Sequence, residues 1–153
     1  MRRASVYPVI RFHGFRGELR EARRHREWLQ NCWRLYMDSR EPMPIEYWAV
    51  SLETIADLHG RFLGNTRPTD ILTFDYGDMA EIFVCLAVIK ENARLYRTTF
   101  SNELRRVLVH GILHLCGLND DSDSARCQMR EAEDLCLSAW AKTVSHETIR
   151  PGF

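Results

Sequence analysis

The segment Leu108-Val109-His110-Gly111-Ile112-Leu113-His114-Leu115-Cys116-Gly117 constrains this chain more than any other. It fits a helix that Ser101 or Asn102 can cap and that stops at Gly117, a good C-terminal breaker. Successive helical residues turn by about 100°. His110 and His114 therefore share a face, one turn apart, close enough to hold one ion. Cys116 lies about 240° from His110 on the same wheel and points away. Beyond Gly117 the chain can fold back, which brings Asp120, Asp121 and Asp123 within reach. Two imidazoles and a carboxylate form a common zinc set that leaves a fourth position for water. Zinc lowers the pKa of such a water toward neutrality. An isolated His-x3-His pair can equally be two ordinary helix histidines, so the glycine break and the carboxylates after it carry the metal reading. Zinc peptidases have His-Glu-x-x-His, with the Glu as general base. Gly111 stands where that Glu would be, which counts against peptide hydrolysis.

The rest of the chain supplies the frame. Residues 6–12 read as a strand closed by His13-Gly14, and 17–37 as a helix with Ala22, Leu29, Cys32, Trp33 and Tyr36 on an apolar stripe. Residues 45–51 read as a strand, 52–62 as a short helix, and 64–68 as a turn. Strands at 71–76 and 81–85 flank Gly77-Asp78. So short a connection cannot cross over, so these two strands are antiparallel neighbours. Helices follow at 87–96, 101–116 and 125–143, with a polar loop at 119–124. The order β-α-β-α-β-β-α-α-α predicts an α+β fold with a small mixed sheet of about four strands and helices packed on it.

The 153 residues, 45% hydrophobic and 27% charged, suit one domain over 1–153 with a real core. No apolar run has the length of a membrane span, and Tyr7, Pro8 and Arg11 interrupt any signal-peptide stretch after Arg2-Arg3. A cytoplasmic protein is expected. The five cysteines are odd in number and lack a two-residue spacing, so reduced, packed thiols are expected. The zero net charge hides an asymmetry. Residues 1–40 carry ten Lys/Arg against four Asp/Glu, a net of +6, while 41–153 carry eleven against seventeen, a net of −6. Nineteen of the 21 basic residues are Arg, whose planar fork suits phosphate, so the N-terminal segment can contact a nucleic-acid backbone. A merely solvated charged face would look the same.

The His110–Gly117 run resembles the His-Gly-x-Leu-His-Leu-x-Gly signature of the YbeY family of bacterial endoribonucleases. Pro68-Thr69-Asp70-Ile71-Leu72-Thr73-Phe74 resembles the family's Pro-Thr-Asp-Val-Leu-Ser-Phe strand, and Glu81-Ile82-Phe83-Val84-Cys85 the strand after it. Asn92-Ala93, Glu103-Leu104 and Met129-x-x-x-Glu133 are similar to the flanking helices, so the likeness covers about 45–137. The resemblance implies a zincin-like fold, one zinc ion and single-strand-specific RNA cleavage. It also implies a role in ribosomal RNA maturation, notably at the 3′ end of the small-subunit RNA, and in ribosome quality control. The implied partners are ribosomal RNA or the ribosome, single-stranded RNA, and ribosomal or GTPase proteins, with no membrane.

Two positions depart from the family pattern. The family continues Gly-Tyr-Asp-His, the last His being the third ligand, whereas here Gly117-Leu118-Asn119-Asp120 puts Asp120 at that position. The expected ligands are therefore His110, His114 and Asp120. A carboxylate there leaves the site one unit less positive and its water less acidic. Alignment also places Leu63 where many members carry an Arg that helps catalysis, which leaves Arg61 and Arg67 as nearby substitutes. The alternative reading is a metal-stabilised ribosome- or RNA-binding factor with little catalysis.

Of the remaining residues, Asp70 reads as a turn or cap carboxylate, and Glu103 as a capping residue that could also order the metal's surroundings. Trp28 and Trp140 could stack on bases, whereas Trp33 and Trp48 fit buried faces. His13, His25, His59 and His146 lack ligand spacing and read as surface or cap residues.

Overall fold

The computed structural model describes residues 6–37 and 40–143. Residues 1–5 of the basic N-terminal segment and His146 lie outside the described residues. The elements are β1 (Ile10–His13), α1 (Ala22–Tyr36), β2 (Ile45–Ala49), α2 (Leu52–Leu63), β3 (Ile71–Asp75), β4 (Ala80–Val84), α3 (Leu86–Leu95), α4 (Phe100–Leu115) and α5 (Asp123–Lys142). The chain thus forms the expected α+β fold around a four-stranded mixed sheet of order β1-β2-β4-β3. β1 and β4 run parallel to β2, and β3 is an antiparallel edge strand on β4.

The boundaries differ from the sequence reading where local polar groups intervene. α1 starts at Ala22 rather than residue 17, because the Glu18 carboxylate accepts the backbone N–H groups of Arg16 and Gly17 at 2.8 and 3.0 Å. α4 is capped by Thr99, whose hydroxyl accepts the Asn102 N–H at 3.1 Å, rather than by Ser101 or Asn102. Glu103 is therefore no cap. Ser122 caps α5 through the Ala125 N–H at 3.1 Å, which starts that helix two residues early.

Alternation along the strands sorts side chains to two faces. Ile45, Tyr47, Ile82 and Val84 bury completely in a layer with α1, α4 and α5, while Leu72 and Cys85 pack with Ile55 of α2 in a smaller cluster. Each such large side chain contributes about 1.5–3 kcal/mol of stabilisation. α4 runs through the middle of the larger layer, with Leu104, Leu108, Ile112 and Leu113 buried. Tyr47 donates its hydroxyl to the Leu108 carbonyl at 2.6 Å, and Trp28 donates its ring N–H to the Cys136 carbonyl at 2.7 Å.

This packing corrects two expectations. Trp28 and Trp140 offer no free face for a base, since both are buried, as is Trp33, while the half-buried Trp48 carries His13 stacked on it at 4.1 Å. His25 is buried too, rather than on the surface, with its Nδ1 3.0 Å from the Glu21 carbonyl. Gly111 has a steric reason. A Cβ there would lie 2.9 Å from Ile82 Cδ1 and 3.2 Å from Ile71 Cδ1, so glycine lets α4 sit directly on the sheet.

Candidate metal centre

The last two turns of α4 carry His110 and His114, with ring centroids 4.7 Å apart. Gly117, at φ +97°, reverses the chain, and its N–H bonds the His114 carbonyl while that of Leu118 bonds the Leu113 carbonyl. Only a residue free of a Cβ takes that conformation readily. The reversal carries Asp120 back over the histidines, where its Oδ2 lies 3.5 Å from His110 Nε2 and 3.8 Å from His114 Nε2. One ligand atom from each of the three falls within 4.8 Å of the others. Two ligands on a tetrahedral zinc, each at about 2.0–2.2 Å, sit about 3.4 Å apart. The trio therefore has both the spacing and the donor chemistry of a metal site. Of the other loop carboxylates, Asp123 pairs with Arg126, and neither it nor Asp121 joins the cluster.

A second layer of groups orients His110. Its Nδ1 lies 2.7 Å from Glu133 Oε2, a carboxylate oxygen suited to accept a ring N–H, and its Nε2 faces Asp120. Glu133 is buried and receives Arg106 on its other oxygen at 3.0 Å, while Arg106 also reaches Asp134 at 2.7 Å. Burial pulls the His110 pKa down, but the Glu133 bond and the charges of Glu133, Asp120 and Asp70 outweigh it and leave the pKa raised. His114 has a backbone bond to Leu118 in place of a carboxylate like Glu133. Burial and the neighbouring His110 lower its pKa against the pull of Asp120.

These groups line a cavity of about 570 Å³ bounded by β3 and by α4 and α5. Asp70, Glu103, Arg106, Arg130, Glu133 and Tyr96 all face it. Burial raises the pKa of Asp70, and burial with the charges of Asp70 and Glu133 raises that of Glu103. Asp70 and Glu103 are thus cavity residues as well as turn and helix residues.

The two arginines singled out in the sequence are not brought to the cavity. Arg61 pairs with Asp57 at 3.1 Å on an exposed face of α2. Arg67 is exposed in the following turn, its backbone held by Asn65 and His59. Leu63 lines the cavity instead, and the arginines that do so are Arg106 and Arg130. The signal for Glu133 was present but unused. Met129, Ala132, Glu133 and Cys136 share one buried stripe of α5, and a carboxylate on such a stripe requires a charged or donor partner. Arg130 and Tyr96 carried no comparable mark, since both are exposed residues of ordinary helix ends and faces.

Known proteins resemble this chain along most of its length. The family model described as endoribonuclease YbeY matches residues 16–141. The chain is similar to endoribonuclease YbeY of Bacteroides thetaiotaomicron, 38% identical over 116 residues that cover 73% of this chain and 83% of the relative. It is 30% identical to endoribonuclease YbeY of Flavobacterium psychrophilum over 121 residues, 76% of this chain and 85% of that one. Its fold is similar to the solution structure of a Thermotoga maritima protein, with a TM-score of 0.61 and 30% identity over 95% of this chain and 99% of that one.

Proposed function

The chain belongs to the endoribonuclease YbeY family, and from that premise we propose that it is a zinc-dependent endoribonuclease that cuts single-stranded RNA. We assign it to maturation of ribosomal RNA, at the 3′ end of the small-subunit RNA, and to ribosome quality control in the cytoplasm. No described helix is long and apolar enough to cross a membrane, which accords with an RNA partner. The observation that carries the reading is the convergence of His110, His114 and Asp120 at the wall of a cavity that also holds Arg106 and Arg130.

Zinc held by His110, His114 and Asp120 would supply a Lewis acid and a more acidic water at neutral pH. The protein's own groups do the rest. Glu133 holds the His110 ring in one tautomer and orientation, and Arg106 holds Glu133. Arg130 is exposed at the cavity and forms no ion pair among the described residues, so its fork is free for phosphate oxygens. Hydrolysis forms a P–O bond to a water oxygen, breaks the P–O bond to the departing oxygen and moves one of the water's protons onto it. Asp70, raised by burial and facing the cavity, is suited to exchange that proton. Gly111 packs on Ile82 and contributes no base, which fits a phosphodiester substrate better than a peptide.

The test is cleavage of a labelled single-stranded RNA by zinc-loaded protein, with His114→Ala purified in parallel as the control for contaminating nuclease. Loss of cleavage in His114→Ala with retained folding supports the reading, and equal cleavage by both proteins sinks it. The placement of Leu63 at the cavity, with Arg61 and Arg67 outside its lining, favours a second reading, a metal-stabilised RNA- or ribosome-binding factor. Zinc-loaded wild type that binds RNA yet leaves it intact would decide for that one.

A further inference from the structure

α4 has a second cavity on its other flank. It contributes Glu103, Arg106 and His110 to the metal-side cavity, and Ser101, Leu104 and Arg105 to a cavity of about 830 Å³. The remaining walls come from the segment before and at the start of α1 and from the first turns of α3. The cations there are Arg16, Arg20, Lys90 and Arg105, and the acids are Glu18 and Glu21.

Both acids are already engaged. Glu18 accepts two backbone N–H groups, and Glu21 pairs with Arg24 at 3.1 Å. Arg20 and Lys90 are exposed and form no ion pair among the described residues. Arg105 is only partly exposed, and its Nε is buried without a hydrogen-bond partner. Its guanidinium lies 4.5 Å from the Trp140 ring centroid, and that of Arg24 lies 3.8 Å from the same ring. Burial, and then the Arg24 charge, lower the Arg105 pKa against the pull of Glu21. His25, also lining the cavity, adds no charge at neutral pH because burial holds its pKa at about 4. With four cations against two acids in its lining, the cavity keeps a net positive field.

Phosphate groups match this chemistry, since arginine forks take two oxygens of one phosphate and lysine supplies a point charge. The cations sit on three separate elements rather than around one point, and Leu86, Phe100 and Leu104 lie among them. That spread fits a chain of phosphates with bases between them better than one compact ion. We propose that this cavity binds the backbone of single-stranded RNA and anchors it across α4 from the metal centre. The proposal rests on the reading that the protein acts on RNA. It also gives a place to part of the N-terminal charge excess, through Arg16 and Arg20.

The test is an Arg20→Gln/Lys90→Gln variant, both positions being exposed, with thermal melting to verify the fold. Binding of a labelled twenty-nucleotide single-stranded RNA is followed by fluorescence anisotropy in a His114→Ala background, so that cleavage does not enter. The expected result is roughly tenfold weaker binding, with the slope of log K against log[salt] shallower by about 1.4, since each single-strand phosphate contact contributes about 0.7. In the zinc-loaded enzyme with His114 intact, the same variant raises KM for the long RNA and leaves cleavage of a four-nucleotide RNA unchanged. Parent-like affinity and slope overturn the second site and leave the nuclease reading standing. Absence of RNA binding by the parent overturns both. Inorganic phosphate that binds the parent at micromolar concentration and loses its site in the variant, with RNA affinity unaltered, assigns a free anion and overturns the RNA assignment.

Discussion

Glu133 Oε2 lies 2.7 Å from His110 Nδ1, joining the buried face of α5 to the metal face of α4. The bond commits one ring nitrogen and leaves the other facing Asp120. Replacing the charge while keeping the shape, by Glu133→Gln, is expected to lower zinc affinity 10- to 100-fold. Chelator competition measures it, and circular dichroism checks that the loss of the Arg106 partner has not unfolded the chain. Unchanged affinity would show that Glu133 is only a structural acceptor.

Asp120 and Asp121 are adjacent in sequence but differ in placement, since only Asp120 approaches both imidazoles. Asp120→Ala is expected to remove bound zinc at micromolar free metal, and Asp121→Ala to leave about one ion per chain, as read by elemental analysis. Equal zinc in the two variants contradicts this ligand set.

Asp70 faces the same cavity without being among the three grouped ligands. Asp70→Asn is expected to reduce kcat by roughly 10²–10⁴ with zinc content intact, the range for loss of a positioned proton-transfer group. Full activity in that variant would return Asp70 to a purely structural role.

Gly111→Ala places a methyl 2.9 Å from Ile82 Cδ1, and Ile82 is fully buried. Overpacking of this kind costs roughly 1–3 kcal/mol, against a helix-propensity gain of about 1 kcal/mol. A net loss of about 1 kcal/mol is expected from urea denaturation. A more stable variant would mean that Ile82 and Ile71 repack freely.

His25 predicts an acid-sensitive core. Burial holds its folded-state pKa at about 4, below the ordinary 6.5, so the unfolded chain takes up the proton first as pH falls. The stability it contributes is present above about 6.5 and lost progressively toward pH 4. The full loss is about 3 kcal/mol. Urea titrations between pH 7 and pH 4 should show a steeper decline for wild type than for His25→Gln, and parallel curves would acquit His25.

Elements with strong local signals were legible in the sequence: the α1 stripe, the Gly117 stop, the short β3–β4 connection and the shared face of His110 and His114. Helix period, glycine conformation and the reach of a four-residue link are properties of neighbouring residues, so they need no tertiary information. The boundaries missed at α1 and α4 turned on which nearby oxygen took a free N–H, Glu18 in one case and Thr99 in the other.

The same residues mark where sequence alone stopped. Spacing determined two histidines on one helical turn followed by a chain reversal with three carboxylates in reach, and the family resemblance pointed to Asp120 among them. Only the packed fold set the Asp120 carboxylate at its distances from both rings, brought Glu133 from α5 to His110, and left Arg61 and Arg67 outside a cavity that Arg106 and Arg130 line. Those outcomes depend on how α4 lies against the sheet and α5. That arrangement comes from side chains far apart in the chain filling one core, which no local pattern encodes.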